Sequence, residues 1–173
     1  MENLNDIIKN RYAFLDSSIL THGQSYFITA SKIYENLEPE NLYPLLTLLG
    51  FSAELFLKAF HIDLNEEYVD LGNGVSSLAS KTVKTLNKNG HKLKELLHHY
   101  QEKDKELFDY LITQYKTKTD RDLETDILKY SKIFEDSRYI FESTENSKYI
   151  NEIDIIFNLV KTFYDSISNL YQD

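Results

Sequence analysis

Two oppositely charged residues, Glu54 and Lys58, lie four positions apart in an otherwise apolar stretch, LLGFSAELFLKAFHIDL, at residues 48–64. This spacing places both side chains on one face of a helix, one turn apart. A helix that is apolar on almost every side belongs in the interior of a fold. A carboxylate buried there is costly unless a cation neutralises it. We therefore predict a structural ion pair between Glu54 and Lys58 or Arg138, rather than a ligand-binding role. Arg138 is the preferred partner, because aromatic residues surround it in the sequence.

A histidine-rich segment offers candidate metal ligands, which are His91, Glu95, His98 and His99. A helix would separate the first and last of these histidines by more than about 10 Å along its axis, so they cannot share one ion. The segment also lacks a His-Glu-x-x-His motif. We therefore predict a solvated helix face and no metal site. Asn89 is the predicted N-cap of this helix. His91 marks its start, or alternatively contacts an anionic ligand at the helix N-terminus.

Other catalytic motifs are absent. The segment GNGVSSLASKT at 72–82 is not a phosphate loop, because a Walker motif needs glycine directly before Lys-Ser/Thr and position 80 is serine. A Gly-x-Ser-x-Gly nucleophile elbow is also missing. The chain has no cysteine, which excludes disulfides, thiolate catalysis and cysteine-based zinc sites. We expect no cofactor.

Composition indicates one helical domain. The chain has 173 residues, of which 42% are hydrophobic, with only two prolines and five glycines. Its net charge of −9 disfavours the broad basic face that binds nucleic acid. The N-terminus does not resemble a secretory signal, and no uninterrupted apolar run reaches the ~20 residues that span a bilayer. We therefore expect a cytoplasmic protein without a membrane segment.

Apolar spacing predicts the elements that must position these residues. Residues 1–20 form an N-terminal arm or short helix. A helix over 21–37 carries an apolar stripe of Tyr26, Ala30, Ile33, Tyr34 and Leu37. A long insertion over 61–90 has turns at 72–74 and 89–90, and a short helix between Val75 and Leu86. The remaining predicted helices cover residues 41–60, 90–100, 120–142 and 149–170. The helix that begins at residue 90 either breaks near Lys103 or continues to residue 115. The chain is thus predicted to be all-α, a single domain over 1–173.

Three short motifs on these elements resemble the HEPN superfamily. They are SAELFLKAF at 52–60, GHKLKELL at 90–97 and FEDSRYIFE at 134–142, and the similarity covers roughly residues 25–170. The resemblance implies a four- to five-helix up-and-down bundle that is commonly dimeric. Many family members are ribonucleases of toxin–antitoxin, CRISPR or anti-phage systems. Others are non-catalytic binding modules, often beside a nucleotidyltransferase.

The ribonuclease motif of that family is missing from this chain. Family nucleases use an arginine that stabilises phosphate charge, followed after four to six residues by a histidine that moves protons. No histidine follows Arg11, Arg121 or Arg138 at that spacing. Arg138 is the best positional match, and only a histidine from elsewhere, such as His91 brought across a dimer, could complete a site.

The sequence therefore predicts a non-catalytic HEPN-like binding or regulatory module, which acts through homodimerisation and a partner protein such as a nucleotidyltransferase or antitoxin. Its polar cluster comprises Glu54, Lys58, Arg138, Tyr139 and His91. Two alternatives remain open. One is a divergent HEPN endoribonuclease of a toxin–antitoxin or phage-defence system, acting on RNA through Arg138 and His91. The other is a nucleotide-binding module with residues 61–90 as its lid.

Overall fold

The computed structural model describes residues 16–59, 62–73, 75–85, 92–133, 136 and 147–168, which contain the following helices and strands. The helices are α1 (Ser17–Glu35), α2 (Leu42–Ala59), α3 (Leu93–Lys103), α4 (Lys105–Thr119), α5 (Leu123–Lys129), α6 (Ser147–Ile150) and α7 (Ile153–Ser168). A 3-10 turn, Pro39–Asn41, precedes α2. The strands β1 (Ile62–Asp70) and β2 (Ser76–Thr85) lie between α2 and α3. The protein is mostly helical, which confirms the all-α prediction.

Helix α2 is the central helix of the bundle, as its composition predicts. It is buried on most sides and contacts α1, α3 and α7. Its bounds, Leu42–Ala59, match the predicted 41–60 closely. The span Pro39–Ala59 is long and apolar enough to cross a membrane by length and composition, contrary to our expectation, yet more than half of it is buried inside the fold. A core helix satisfies the same criterion.

Helices α1 and α2 pack antiparallel at short distance. The Ser52 hydroxyl donates to the Gly23 carbonyl at 2.8 Å, and the rings of Tyr26 and Phe51 stack with centroids 5.3 Å apart. Helix α1 begins at Ser17, four residues earlier than predicted, because the Asp16 side chain caps it. The buried side of α1 comprises Leu20, Gly23, Phe27 and Ala30, so the predicted stripe was only partly right.

Helices α3 to α5 pack against one another and complete the core, and α3 also contacts α2. The predicted inward residues of α3 are all buried; they are Leu93, Leu96, Leu97 and Tyr100. The helix begins at Leu93 with Lys92 as its N-cap, so the prediction of Asn89 as the cap was wrong. It ends near Lys103, one of the two predicted outcomes, because Asp104 caps the next helix through the Leu107 amide. Helix α5 ends at Lys129 and is followed by a turn at 130–132, and residues 134–135 and 137–142 of the predicted helix over 120–142 lie outside the described residues.

Strands β1 and β2 form a β-hairpin, so the short helix predicted between Val75 and Leu86 was wrong. The strands pair antiparallel, with Ile62 opposite Thr85 at one end and Asp70 opposite Ser76 at the other. A bulge follows Glu67. Gly72 and Asn73 adopt positive φ angles of 84° and 56°, which let the chain reverse. The Leu71 amide donates to the Val75 carbonyl at 2.9 Å and closes the loop. The turn residues were recognised, but the apolar spacing after them was misread as helical.

Candidate functional site

Glu54 and Lys58 form an ion pair inside the bundle. The Lys58 ammonium lies 2.6 Å from Glu54 Oε1, and the Glu54 residue is only 4% exposed. Both residues belong to α2, where the four-residue spacing brings them to one face. The Tyr100 hydroxyl of α3 donates to the Leu57 carbonyl of the same helix. The Tyr100 hydrogen bond therefore links α3 to α2, whereas the Glu54–Lys58 pair lies within α2.

The other residues of the predicted polar cluster cannot be placed, because Arg138, Tyr139 and His91 lie outside the described residues. Two of the remaining candidate metal ligands have other contacts. His98 Nδ1 lies 3.0 Å from the Gln101 side-chain oxygen, and Lys92 pairs with Glu95 at 3.0 Å. Within the described part of the chain, no group of three or more histidine and acidic residues is arranged to hold a metal ion.

An arginine–carboxylate cluster that the sequence analysis missed joins α4 to α5. Arg121 donates to both oxygens of Asp126 at 2.7 Å, and the Tyr115 hydroxyl donates to the same carboxylate at 2.7 Å. Asp126 is 1% exposed, whereas the Arg121 side chain is 40% exposed. Burial alone would raise the pKa of Asp126, but Arg121 and Tyr115 outweigh it and hold that pKa below its usual value. Burial and Asp126 together raise the pKa of Tyr115.

A second polar cluster ties α5 to the segment before α7. The Tyr130 hydroxyl donates to Glu152 at 3.1 Å, and Lys129 pairs with the same carboxylate. The Lys129 hydrogen bond is the main cause that lowers the pKa of Glu152. Like the Arg121 cluster, this arrangement satisfies its charged groups within the chain. Both clusters therefore stabilise helix contacts.

An open groove of about 640 Å³ runs between α1 and α7. Helix α1 contributes Phe27, Ile28, Ser31, Lys32, Tyr34 and Glu35. Helix α7 contributes Phe157, Lys161 and Tyr164. We call this surface the α1/α7 groove.

Aromatic rings form the inner part of the α1/α7 groove. Tyr34 stacks on Phe157 with centroids 3.9 Å apart and planes 6° apart, and Phe27 lies 4.7 Å from the Tyr164 ring. The Tyr34 hydroxyl donates to Asp154 at 2.7 Å. This hydrogen bond, with burial and the negative charge of Asp154, raises the pKa of Tyr34 to about 12. The phenol therefore stays protonated near neutral pH and holds α1 against α7.

The outer wall of the groove is exposed and chemically mixed. Ile28 is 44% exposed, and Lys32 and Glu35 are exposed on the same helix. On the opposite wall Lys161 pairs with Asp165 at 2.9 Å. This wall was not predicted from the sequence, because Ile28 falls outside the predicted apolar stripe. An isoleucine outside the stripe was the sequence feature that could have indicated an exposed apolar surface.

A smaller cavity of about 280 Å³ lies between α3 and α5. Leu97, His98 and Leu128 are among its lining residues, and Leu128 is exposed. The α1/α7 groove is the larger of the two cavities and combines an aromatic floor with charged walls. Such a surface suits binding, because hydrophobic contact gives affinity and the charges select the partner.

Comparison with known proteins gives no match, since no family model, curated protein or solved structure is significantly similar to this chain. The fold and the site define a class of protein, an all-α bundle with an open groove between two helices. Its buried polar clusters are neutralised within the chain.

Proposed function

We propose that this protein is a non-catalytic, HEPN-like binding module that self-associates and recruits a partner protein. The observation that carries the proposal is the α1/α7 groove, an open surface of about 640 Å³ with an exposed isoleucine on its wall. Protein–protein interfaces are built around apolar cores with polar rims, and this groove has that composition. The chemistry proposed is recognition, without bond breaking.

The internal pairing of charged residues also supports the proposal. Glu54 and Lys58 belong to the motif on which the HEPN resemblance rests, and they contact each other at 2.6 Å within the bundle. Asp126 is likewise bonded to Arg121 and Tyr115. Groups engaged in this way stabilise α2 and the contact between α4 and α5, and both helices of the groove pack on α2. The HEPN relationship remains part of the proposal.

Light scattering coupled to size-exclusion chromatography tests self-association directly. We expect the mass to rise from one chain toward two as the protein concentration increases. A mass of one chain at every concentration would contradict the self-association part of the proposal. The partner part is tested by co-expression with the product of the neighbouring gene, where we expect a stable complex.

Two activity assays test the non-catalytic part of the proposal. Single-stranded RNA should survive incubation with the protein, and ATP should not change its melting temperature. Cleavage that disappears in Arg138→Ala, while the circular dichroism spectrum is kept, would instead establish a ribonuclease. A melting temperature that rises with ATP concentration would establish a nucleotide-binding module, because a ligand of the folded state stabilises it by mass action.

A further inference from the structure

The exposed wall of the α1/α7 groove carries one positive and one negative residue, Lys32 and Glu35. Both are exposed, both line the groove, and they are three residues apart on α1. Within the described part of the chain, neither Lys32 nor Glu35 belongs to an ion pair. Their spacing would nevertheless allow them to pair with each other. The wall therefore presents two opposite, unengaged charges beside the exposed Ile28.

This arrangement is complementary to a second copy of itself. Lys32 and Glu35 are about 4.5 Å apart along the helix axis. A two-fold axis that crosses α1 between residues 33 and 34 places a second α1 antiparallel to the first. Each Lys32 then lies opposite the partner's Glu35, so one pair of residues is used twice, as in an isologous dimer interface.

Two exposed apolar residues, Ile28 on the wall and Leu37 just beyond the end of α1, fit the same symmetry. Antiparallel pairing brings Ile28 toward the end of the partner's α1, where Leu37 follows the helix. Ile28 is 44% exposed and Leu37 is 37% exposed, so both side chains have apolar surface to bury. A strongly basic or acidic occupant would match only one of the two charges on the wall, whereas a second copy matches both.

We propose that the exposed α1 wall of the α1/α7 groove is the self-association site, on which two copies of α1 pack antiparallel with reciprocal Lys32–Glu35 ion pairs. The proposal rests on the proposed function and assigns the face that carries out its self-association. The partner that this wall binds is a second copy of this chain.

Charge exchange at the two positions tests this assignment. Lys32→Glu places two acidic residues opposite each other twice, and Glu35→Lys does the same with two lysines. Each single variant should self-associate about tenfold more weakly or worse, as measured by sedimentation equilibrium. The double variant Lys32→Glu/Glu35→Lys restores both pairs in reversed order and should self-associate like the original chain. An equimolar mixture of the two single variants should form a heterodimer.

Controls separate this proposal from the broader one. Val69→Gln changes an exposed apolar residue of the hairpin that does not line the groove, keeps the net charge, and should leave self-association unchanged. Circular dichroism melting should show that all variants keep the fold. If the original chain self-associates but the single variants and their mixture behave like it, this face is wrong and the proposed function stands. If the original chain is monomeric throughout, both fail.

Discussion

At the residue scale, the charges placed in the apolar interior decide stability more than those on the surface. Glu54 and Lys58 show the reason, because the Glu54 side chain is 5% exposed and its bonded ammonium comes from the same helix. Removing one member of a buried pair leaves the other charge without its compensation. Replacing both members by uncharged residues avoids that penalty.

We therefore expect Lys58→Met to lower the free energy of unfolding by about 2–4 kcal/mol. The double variant Glu54→Gln/Lys58→Met should recover a large part of that loss, since it also removes the carboxylate charge that Lys58 neutralises. Urea denaturation of the three proteins measures both effects. If Lys58→Met costs less than about 0.5 kcal/mol, the size of a surface substitution, then Lys58 is not the cation that neutralises Glu54.

Asp126 gives a pH dependence whose sign follows from its lowered pKa. The usual value is 3.8, and Arg121 and Tyr115 hold the folded-state pKa below it despite burial. The stabilisation is thus fully present above pH 3.8 and is lost as the pH falls from 3.8 through the folded-state value, because over that range the unfolded chain binds a proton that the folded chain does not. At pH 7, Asp126→Asn should cost about 1–3 kcal/mol.

The measurement is the free energy of unfolding of the original chain and Asp126→Asn between pH 7 and pH 2.5. The difference between them should shrink below pH 3.8, where the unfolded chain begins to bind a proton at Asp126 before the folded chain does. Asp109→Asn, an exposed position on α4, serves as the control and should change stability by less than about 0.5 kcal/mol. A difference that stays constant over the whole pH range would show that the Asp126 charge is not involved.

At the element scale, the packing of α1 on α2 depends on Gly23. A Cβ atom at this position would lie 3.2 Å from the Leu55 Cβ and from the Phe56 ring. The Gly23 carbonyl also accepts the buried Ser52 hydrogen bond. A larger side chain would have to push α1 away from α2, and overpacking of this kind costs about 1–3 kcal/mol.

We accordingly expect Gly23→Val to lower the free energy of unfolding by about 1–3 kcal/mol. Ser25→Val introduces the same side chain at an exposed position of α1 and controls for helix propensity. Thermal and urea denaturation of both variants provide the comparison. Equal stability of the two variants would mean that the α1–α2 contact tolerates a side chain at residue 23.

The helices could be predicted from apolar spacing because a buried helix repeats its contacts every three to four residues. Helix α2 and the inward residues of α3 follow that rule. The hairpin could not be predicted in this way, because Val75, Leu78 and Val83 also fit helical spacing. In addition, the strand pairing joins residues up to 23 positions apart. The Arg121–Asp126 contact was missed for a related reason. It closes across the turn between α4 and α5, which spacing along one helix cannot show.

At the scale of the whole molecule, net charge opposes the proposed self-association. Each chain carries a net charge of −9, so two copies repel each other before any contact forms. The reciprocal Lys32–Glu35 pairs and the apolar contact at Ile28 act only at short range. The balance between these forces depends on salt, because salt screens distant charges more than adjacent ones.

We expect self-association to tighten when the ionic strength rises from about 10 mM to about 150 mM, since the screening length falls from about 30 Å to about 8 Å. The double variant Lys32→Glu/Glu35→Lys keeps the net charge and should respond equally, whereas Lys32→Glu alone is two charges more negative and should respond more steeply. Sedimentation equilibrium at several salt concentrations measures these slopes. Weaker association of the original chain at higher salt would contradict this expectation. It would mean that attraction between opposite charges outweighs the net repulsion between the two chains at all of these ionic strengths.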